Sequence, residues 1–328
     1  AAGARWFAVS TAEEGVALRE AGIGANILLM SDSLAFSWPA LVEYRLTPVL
    51  LSLEDLRQLD RCAAARGVKV TCHLKLDTGM TRVGTLAGVP EIAAAIRAAR
   101  HLELGGIMSH FASPEDFASD HADRQAAAFE SAARGLERLG IVAPLRHMAS
   151  SNAIAYGRLS AFQNMARAGI ALYGYLSPTT GNAPRAAFDV KPALAWKAAV
   201  LMTKDVPAGS AIGYGALFRA LRPMRIAVIG AGYADGVPHC LSNRGRAIAG
   251  GRVVPFLGAV SMDVTTIDVT DCPQIQAGST VTLLGTEGDA SLDAQQIAAM
   301  AGTISYDVLC GIRPRVKRVY SVVTEPRP

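Results

Sequence analysis

Short apolar runs alternate with amphipathic stretches through the first half of this chain. Trp6–Val9, Asn26–Met30, Thr47–Leu51, Val68–Leu76, Leu104–His110, Leu145–Ala149 and a run within Met165–Leu172 read as strands. Helical patterns fill the gaps. Thr11 opens T-A-E-E ahead of Val16, a capping box, and Ser52 opens S-L-E-D ahead of a helix through Ala65. Further helices are predicted up to about Tyr44, from Val89 to about Arg100, and from Asp120 to Leu139. Near-continuous apolar strands between helices imply a parallel sheet covered on both faces.

The pattern changes near Phe188. Leu194–Lys204, Met224–Ile229, Arg252–Leu257, Val260–Val269, Thr280–Leu284 and Val316–Val323 read as strands separated by Gly and Pro turns, with one helix at about Ser291–Ala301. Pro178–Pro184 is the expected linker. The predicted domains are therefore residues 1–185, an α/β unit, and 186–328, a mostly β unit.

The first half contains seven βα units in about 185 residues. A closed (β/α)8 barrel has eight such units and about 250 residues. An open doubly wound sheet and a barrel lacking its first βα unit both fit that count.

Composition narrows the function classes. Hydrophobic residues make up 51% of the 328, enough for a sizeable core. The net charge of +4 is scattered, and no Lys/Arg run suggests nucleic-acid binding. No apolar run is long enough for a membrane span, and no signal-peptide pattern opens the chain. Five widely spaced cysteines without CxxC suit reduced thiols and a cytoplasmic setting. The six histidines show no metal-ligand spacing, so no metal is expected.

The polar residues at the strand ends carry the candidate chemistry. HLKLDTGMTRVG (His73–Gly84) runs from a strand into a turn, with Lys75 and Arg82 flanking Asp77. Barrels place their chemistry at such C-terminal strand ends, although a surface salt bridge on a βα loop fits this stretch as well. His110 ends the fifth strand, and His147 lies in the sixth, before Ser150-Ser151-Asn152. Either histidine alone is compatible with a structural core role. Arg167, in the apolar seventh strand, needs a partner or a ligand. Ser151 and the backbone near Gly169 suit a phosphate. Tyr214 sits between two glycines, in a structural turn or a functional loop. Gly230–Gly236 resembles a dinucleotide fingerprint, but its third Gly is one residue late and Pro238 follows where a helix is required.

Seven ordered stretches, HLKLDTGMTRVG, GIMSHFA, RAGIALYG, IGYGALFRA, GYADGVP, GAVSMD and SYDVLCGI, together resemble the alanine racemase family from about Trp6 to Tyr320. The resemblance implies a TIM-type (β/α)8 barrel, here without its first βα unit, followed by a mostly β domain. It also implies pyridoxal 5'-phosphate as cofactor and a head-to-tail homodimer with sites shared between subunits. By the same resemblance, Arg167 meets the cofactor's ring nitrogen and Arg82 its phenolic oxygen. His110 packs near the ring, while Ser151, Gly169, Ile170 and Tyr306 bind the phosphate. Tyr214 is the catalytic base on the partner's cofactor. Met262, with Arg82 and Tyr214, meets the substrate, Tyr233 stands at the entrance, and Lys75 matches a lysine often carbamylated in the family.

The expected reaction interconverts L- and D-alanine by two bases, supplying D-alanine for peptidoglycan in the cell wall. A broad-specificity amino-acid racemase and a non-catalytic cofactor- or anion-binding protein are the alternatives. Three departures stand out. The lysine that tethers the family's cofactor, in a Lys-Ala-x-Ala-Tyr-Gly-like stretch, has no match here; Ser261 replaces a usual Cys; and Ser150 replaces a usual Asn.

Overall fold

The computed structural model describes residues 3–32, 34–158 and 163–321. The chain divides into two compact units: residues 1–172 with 176–190, and residues 173–175 with 191–328.

Among the described residues, the main sheet of the first unit has seven strands: β1 (Trp6–Val9), β2 (Asn26–Leu29), β3 (Thr47–Leu50), β4 (Val70–Lys75), β5 (Leu102–Met108), β6 (Leu145–Ser150) and β7 (Met165–Arg167). Each pairs in parallel with the next, in the order β1 to β7. A doubly wound sheet reverses direction at a switch point. This strand order never reverses, so the sheet is a nearly closed seven-stranded parallel barrel.

The helices α1 (Ala12–Glu20), α2 (Trp38–Glu43), α3 (Leu53–Arg66), α4 (Val89–Ala98), α5 (His121–Arg138) and α6 (Ser151–Ala155) connect these strands. Thr11 and Ser52 cap α1 and α3 in reciprocal boxes with Glu14 and Asp55, and Gly67 ends α3 in the left-handed region. Alternate strand positions divide the core. Ile27, Leu29, Leu50, Cys72 and Leu74 pack outward among Leu56, Leu59, Ile92 and Phe129. Leu28, Val49 and Met108 form a separate cluster, with Trp6, Met30 and Leu51 against it. By the same two-residue period, His73 and Lys75 take the face opposite Cys72 and Leu74, inside the barrel.

The second unit is a mostly antiparallel sheet of β8 (Trp196–Val206), β9 (Met224–Ile229), β10 (Arg246–Ala249), β11 (Arg252–Pro255), β12 (Thr265–Asp268), β13 (Thr280–Glu287) and β14 (Ala290–Leu292), with α7 (Ala294–Ala301) and α8 (Ser305–Gly311). The order is β11-β10-β13-β8-β9-β12, and β14 pairs with β13. Several sequence expectations fail here. β10, β14 and α8 are too short for a periodic signal. Val260–Val264 is a loop, closed by Ser261 N–H donating to Val264 C=O, and the strand starts only at Thr265. No strand forms over residues 316–321: the segment is irregular, and Arg318 donates to the carbonyls of Ile312, Arg313 and Val316. Val322 and Val323, the rest of that expected strand, lie outside the described residues. In the first unit the seventh strand is shorter than expected, because Ile170–Tyr173 is a 3-10 turn; Arg167 is thus its last residue.

Candidate active site

Two strand-end loops and two helix starts gather the polar residues of the first unit. After β4 the chain turns through Asp77–Thr85, closed by Asp77 N–H to Thr85 C=O and Thr85 N–H to Lys75 C=O. One Asp77 carboxylate oxygen accepts the N–H groups of Gly79, Met80 and Thr81 at 2.9–3.1 Å. Gly84 takes φ +122°, and a β-carbon there would meet the Asp77 nitrogen at 2.9 Å, so the turn requires glycine. The turn holds Arg82 exposed beside a buried Lys75. Burial, then Arg82, then Arg167 push the Lys75 ammonium down to about 8, against the opposing pull of Asp77.

Arg167, half-buried at the end of β7, is the hub. Its Nη1 donates to His147 Nδ1 at 2.6 Å. Its Nη2 faces Ser109 C=O at 2.8 Å, His110 Nδ1 at 3.0 Å and Met148 C=O at 3.3 Å. Burial lowers its pKa to about 10, which leaves it cationic near neutrality. His110 lies two residues past the end of β5. Gln125 of α5 holds its backbone by donating to His110 C=O and accepting from Ala112 N–H. Burial, then Arg167, Lys75 and Arg82, lower His110 to about 4.

Ser151 opens α6, and its hydroxyl accepts the N–H groups of Gly169 at 2.8 Å and Ala171 at 3.2 Å. The structure thus brings Ser151, Gly169 and Ile170 to the turn that follows Arg167. Arg82 and Arg167 both act on Lys75, where Asp77 offsets them. Such a cluster favours an anion or an anionic group. Among the described residues no group of acids, histidines or cysteines could hold a metal ion.

In the second unit, Tyr214 stands on a one-turn helix between Gly213 (φ +72°) and Gly215 (φ +67°) and is 76% exposed. This loop packs on Gly258-Ala259: a β-carbon on Gly258 would lie 2.5 Å from Ile212 C=O. The following residues meet a third loop, with Tyr233 N–H donating to Ser261 C=O and Ala234 N–H to Met262 C=O. Gly232 fits that junction only without a side chain, since its β-carbon would lie 2.3 Å from Ser261 C=O. Arg315 clasps the two loops by pairing with Asp235 at 2.7 Å and Asp263 at 2.6 Å. Tyr233, Met262 and Tyr306 are all exposed. The loops of Tyr214, Tyr233 and Met262 are therefore joined, while Tyr306 sits in α8.

Sequence reasoning missed the second histidine layer. His147 Nε2 lies 2.8 Å from His73 Nδ1, and both rings are fully buried. The available signal was Gly105-Gly106 inside an apolar strand, since a strand glycine marks a close approach.

Burial holds His73 near 4 and His147 near 2, each further lowered by Arg167. An unfolded histidine titrates at about 6.5. The unfolded chain therefore binds protons first as pH falls from 6.5 towards 4, and stability drops through that window. For each of these two histidines the loss by pH 4 is on the order of 3 kcal/mol. Urea melts at pH 7 and pH 4.5 measure it, and imidazole signals of His73 and His147 that titrate near 6.5 in the folded chain would refute it.

A nearly closed parallel barrel with cations at its strand ends, joined to an antiparallel β unit, defines a family. Residues 1–177 match the alanine racemase N-terminal domain and residues 193–320 the alanine racemase C-terminal domain. The chain is 36% identical over 323 residues to an alanine racemase of Halothermothrix orenii, covering 97% of this chain and 83% of that one. It is 35% identical to one from Synechocystis, covering 97% of this chain and 85% of the relative. The solved alanine racemase of Streptomyces coelicolor superposes with a TM-score of 0.90 at 29% identity, over 99% of this chain and 86% of that one. The Bartonella henselae enzyme, solved with covalently bound pyridoxal phosphate, superposes with a TM-score of 0.85 at 27% identity, over 97% and 86%. The chain belongs to the alanine racemase family.

Proposed function

We propose that this chain interconverts L- and D-alanine with pyridoxal 5'-phosphate. The observation that carries the reading is Arg167, a guanidinium fixed by two imidazoles and two carbonyls beside Lys75 and Arg82. The excess of cations over acids there fits an anionic cofactor and a carboxylate substrate, and a solved relative carries that cofactor. When bound, pyridoxal phosphate supplies the electron sink that makes the substrate α-proton labile. Ser151, Gly169, Ile170 and Tyr306 would hold its phosphate and Arg82 its phenolic oxygen, and His110 would pack at its ring. Arg167 would donate to the ring nitrogen. A guanidinium keeps its proton, so that nitrogen stays unprotonated and side reactions that need a stronger sink are disfavoured.

Tyr214 takes or returns the α-proton on one face at its Oη, acting on the partner subunit's cofactor in a homodimer. Its exposure on a glycine-flanked turn supports that role. Met262 meets the substrate and Tyr233 lines the entrance. Lys75, held near 8, is partly a neutral amine at neutral pH. It can therefore bond carbon dioxide with loss of a proton, and the resulting carbamate pairs with Arg82. All five cysteines are free, which fits the reducing cytoplasm where D-alanine for peptidoglycan is made.

The test joins the lysine-bearing segment of a family member ahead of Ala1 and supplies pyridoxal phosphate in D2O. L-Alanine should exchange its α-hydrogen and approach a racemic mixture, followed by proton NMR and chiral chromatography. Cofactor uptake without exchange would refute the racemase reading.

A further inference from the structure

Hydrogen-bond direction behind Arg167 is forced. A guanidinium only donates, so His147 Nδ1, 2.6 Å from Arg167 Nη1, carries no proton. A neutral imidazole then carries its proton on Nε2, and that nitrogen lies 2.8 Å from His73 Nδ1. His73 Nδ1 must accept, which puts the His73 proton on Nε2. There it is buried without a hydrogen-bond partner among the described residues. This assignment follows from the donor-only guanidinium. Protonating either ring would add a second charge beside Arg167, which burial and that cation oppose.

The neighbouring strand makes room for this arrangement. A β-carbon on Gly106 would lie 2.8 Å from His73 Cε1 and Nδ1, and one on Gly105 would lie 2.6 Å from Thr71 Cγ2. Two adjacent glycines weaken a strand, and here they leave space for the His73 imidazole. Trp6 packs against the same ring, with centroids 5.5 Å apart.

We propose that His73 is a positioning residue: by accepting the Nε2 proton of His147 it keeps the His147 Nδ1 lone pair on Arg167, and so fixes the guanidinium at the strand end. The purpose of that fixing rests on the cofactor reading above, whereas its geometry does not. Without the acceptor, the His147 Nε2–H is buried and unpaired, a cost that shifts the tautomer balance towards Nδ1–H against the hold of Arg167. Moving it to Nδ1 sets a donor against the Arg167 donor and frees the guanidinium.

Nitrogen-15 NMR of the labelled full chain at pH 7 reads the tautomers directly. Both His73 and His147 should be Nε2–H forms in the wild type. His73→Phe should shift His147 towards the Nδ1–H form. His73→Asn offers its amide oxygen near the former Nδ1 and should retain the Nε2–H form. Gly106→Ala changes neither histidine; its β-carbon would press the His73 ring at 2.8 Å and the Leu145 C=O of β6 at 2.9 Å, and the variant should act like His73→Phe by displacing the ring. Reversible binding of pyridoxal phosphate to the same four proteins, read by absorbance, should weaken about tenfold in the Phe and Ala variants and recover with Asn. An Nδ1-protonated His147 in the wild type overturns the proposal, as does an unchanged His147 in both His73→Phe and Gly106→Ala. If the wild type binds no pyridoxal phosphate, the cofactor reading fails, and the spectra still decide the role of His73.

Discussion

Tyr214→Phe should lower alanine racemisation by about 10²–10⁴-fold, the usual loss when a general base is removed, the role proposed for Tyr214. The turn that carries Tyr214 is shaped by the left-handed backbones of Gly213 and Gly215 and by packing on Gly258, none of which needs the hydroxyl. Phenylalanine should therefore keep the loop and remove only the hydroxyl proposed as the base. The assay again uses the chain with a family lysine segment ahead of Ala1. Action in trans adds a second result. When Tyr214→Phe is refolded with a chain whose added lysine is Ala, each mixed dimer should hold one site with both proposed bases. Activity should rise towards half that of the unmutated dimer. A rate untouched by Tyr214→Phe would remove Tyr214 from the reaction, and mixed dimers without recovery would put it in its own chain's site.

Arg167→Ala should destabilise the first unit by about 3 kcal/mol. The substitution strips a charged donor from two imidazole nitrogens and two carbonyls at once. A hydrogen bond to a charged group contributes about 1.5–3 kcal/mol, and each buried acceptor left unpaired costs about 1–3 kcal/mol. Four such acceptors together would cost about 4–12 kcal/mol; water reaching the half-buried site recovers part of this, which sets the expected value just below that range. His110 gives an independent readout. Arg167 is the largest charge effect holding its pKa down, so the His110 pKa should rise when the cation goes. Urea melts give the first quantity and imidazole NMR titration the second. Equal melts and an unmoved His110 would mean that the guanidinium is not seated among these groups.

Much of the barrel was legible because its strands are apolar on both faces. Ile27, Leu28 and Leu29 are all fully buried, and such runs stand out in any sequence. The capping boxes at Thr11 and Ser52 were equally plain. The count of seven units left sheet topology open, since strand order is set by pairing across the sheet and leaves no mark on periodicity. The strand-end chemistry was partly visible. Arg167 announced itself as a charge in an apolar strand, and HLKLDTGMTRVG as a strand running into a polar turn. The partnership of His73 with His147 spans 74 positions, and each histidine alone resembles an ordinary core residue. Arg315 was invisible for a related reason: its acids, Asp235 and Asp263, come from loops brought together only by the β unit. Val316–Val323 misled because β-branched residues suggest a strand even where Arg318 spends itself on local carbonyls.

The chain leaves the barrel unit after Leu172, returns to it after Tyr175, and departs again after Val190. Those three intervening residues are firmly tied. Tyr173 C=O accepts from Ala193 N–H, Gly174 sits where a β-carbon would strike Lys191 C=O, and the buried Tyr175 hydroxyl meets Ala294 N–H at the start of α7. The β unit is therefore discontinuous in the gene, and this constrains how such proteins can be recombined. A single crossover between the two family-matched segments, anywhere in residues 178–192, parts Tyr173–Tyr175 from the surface they fit. Lineages that trade β units must carry this tripeptide along as a linked passenger, or accept a stranger's side chain against Ala294.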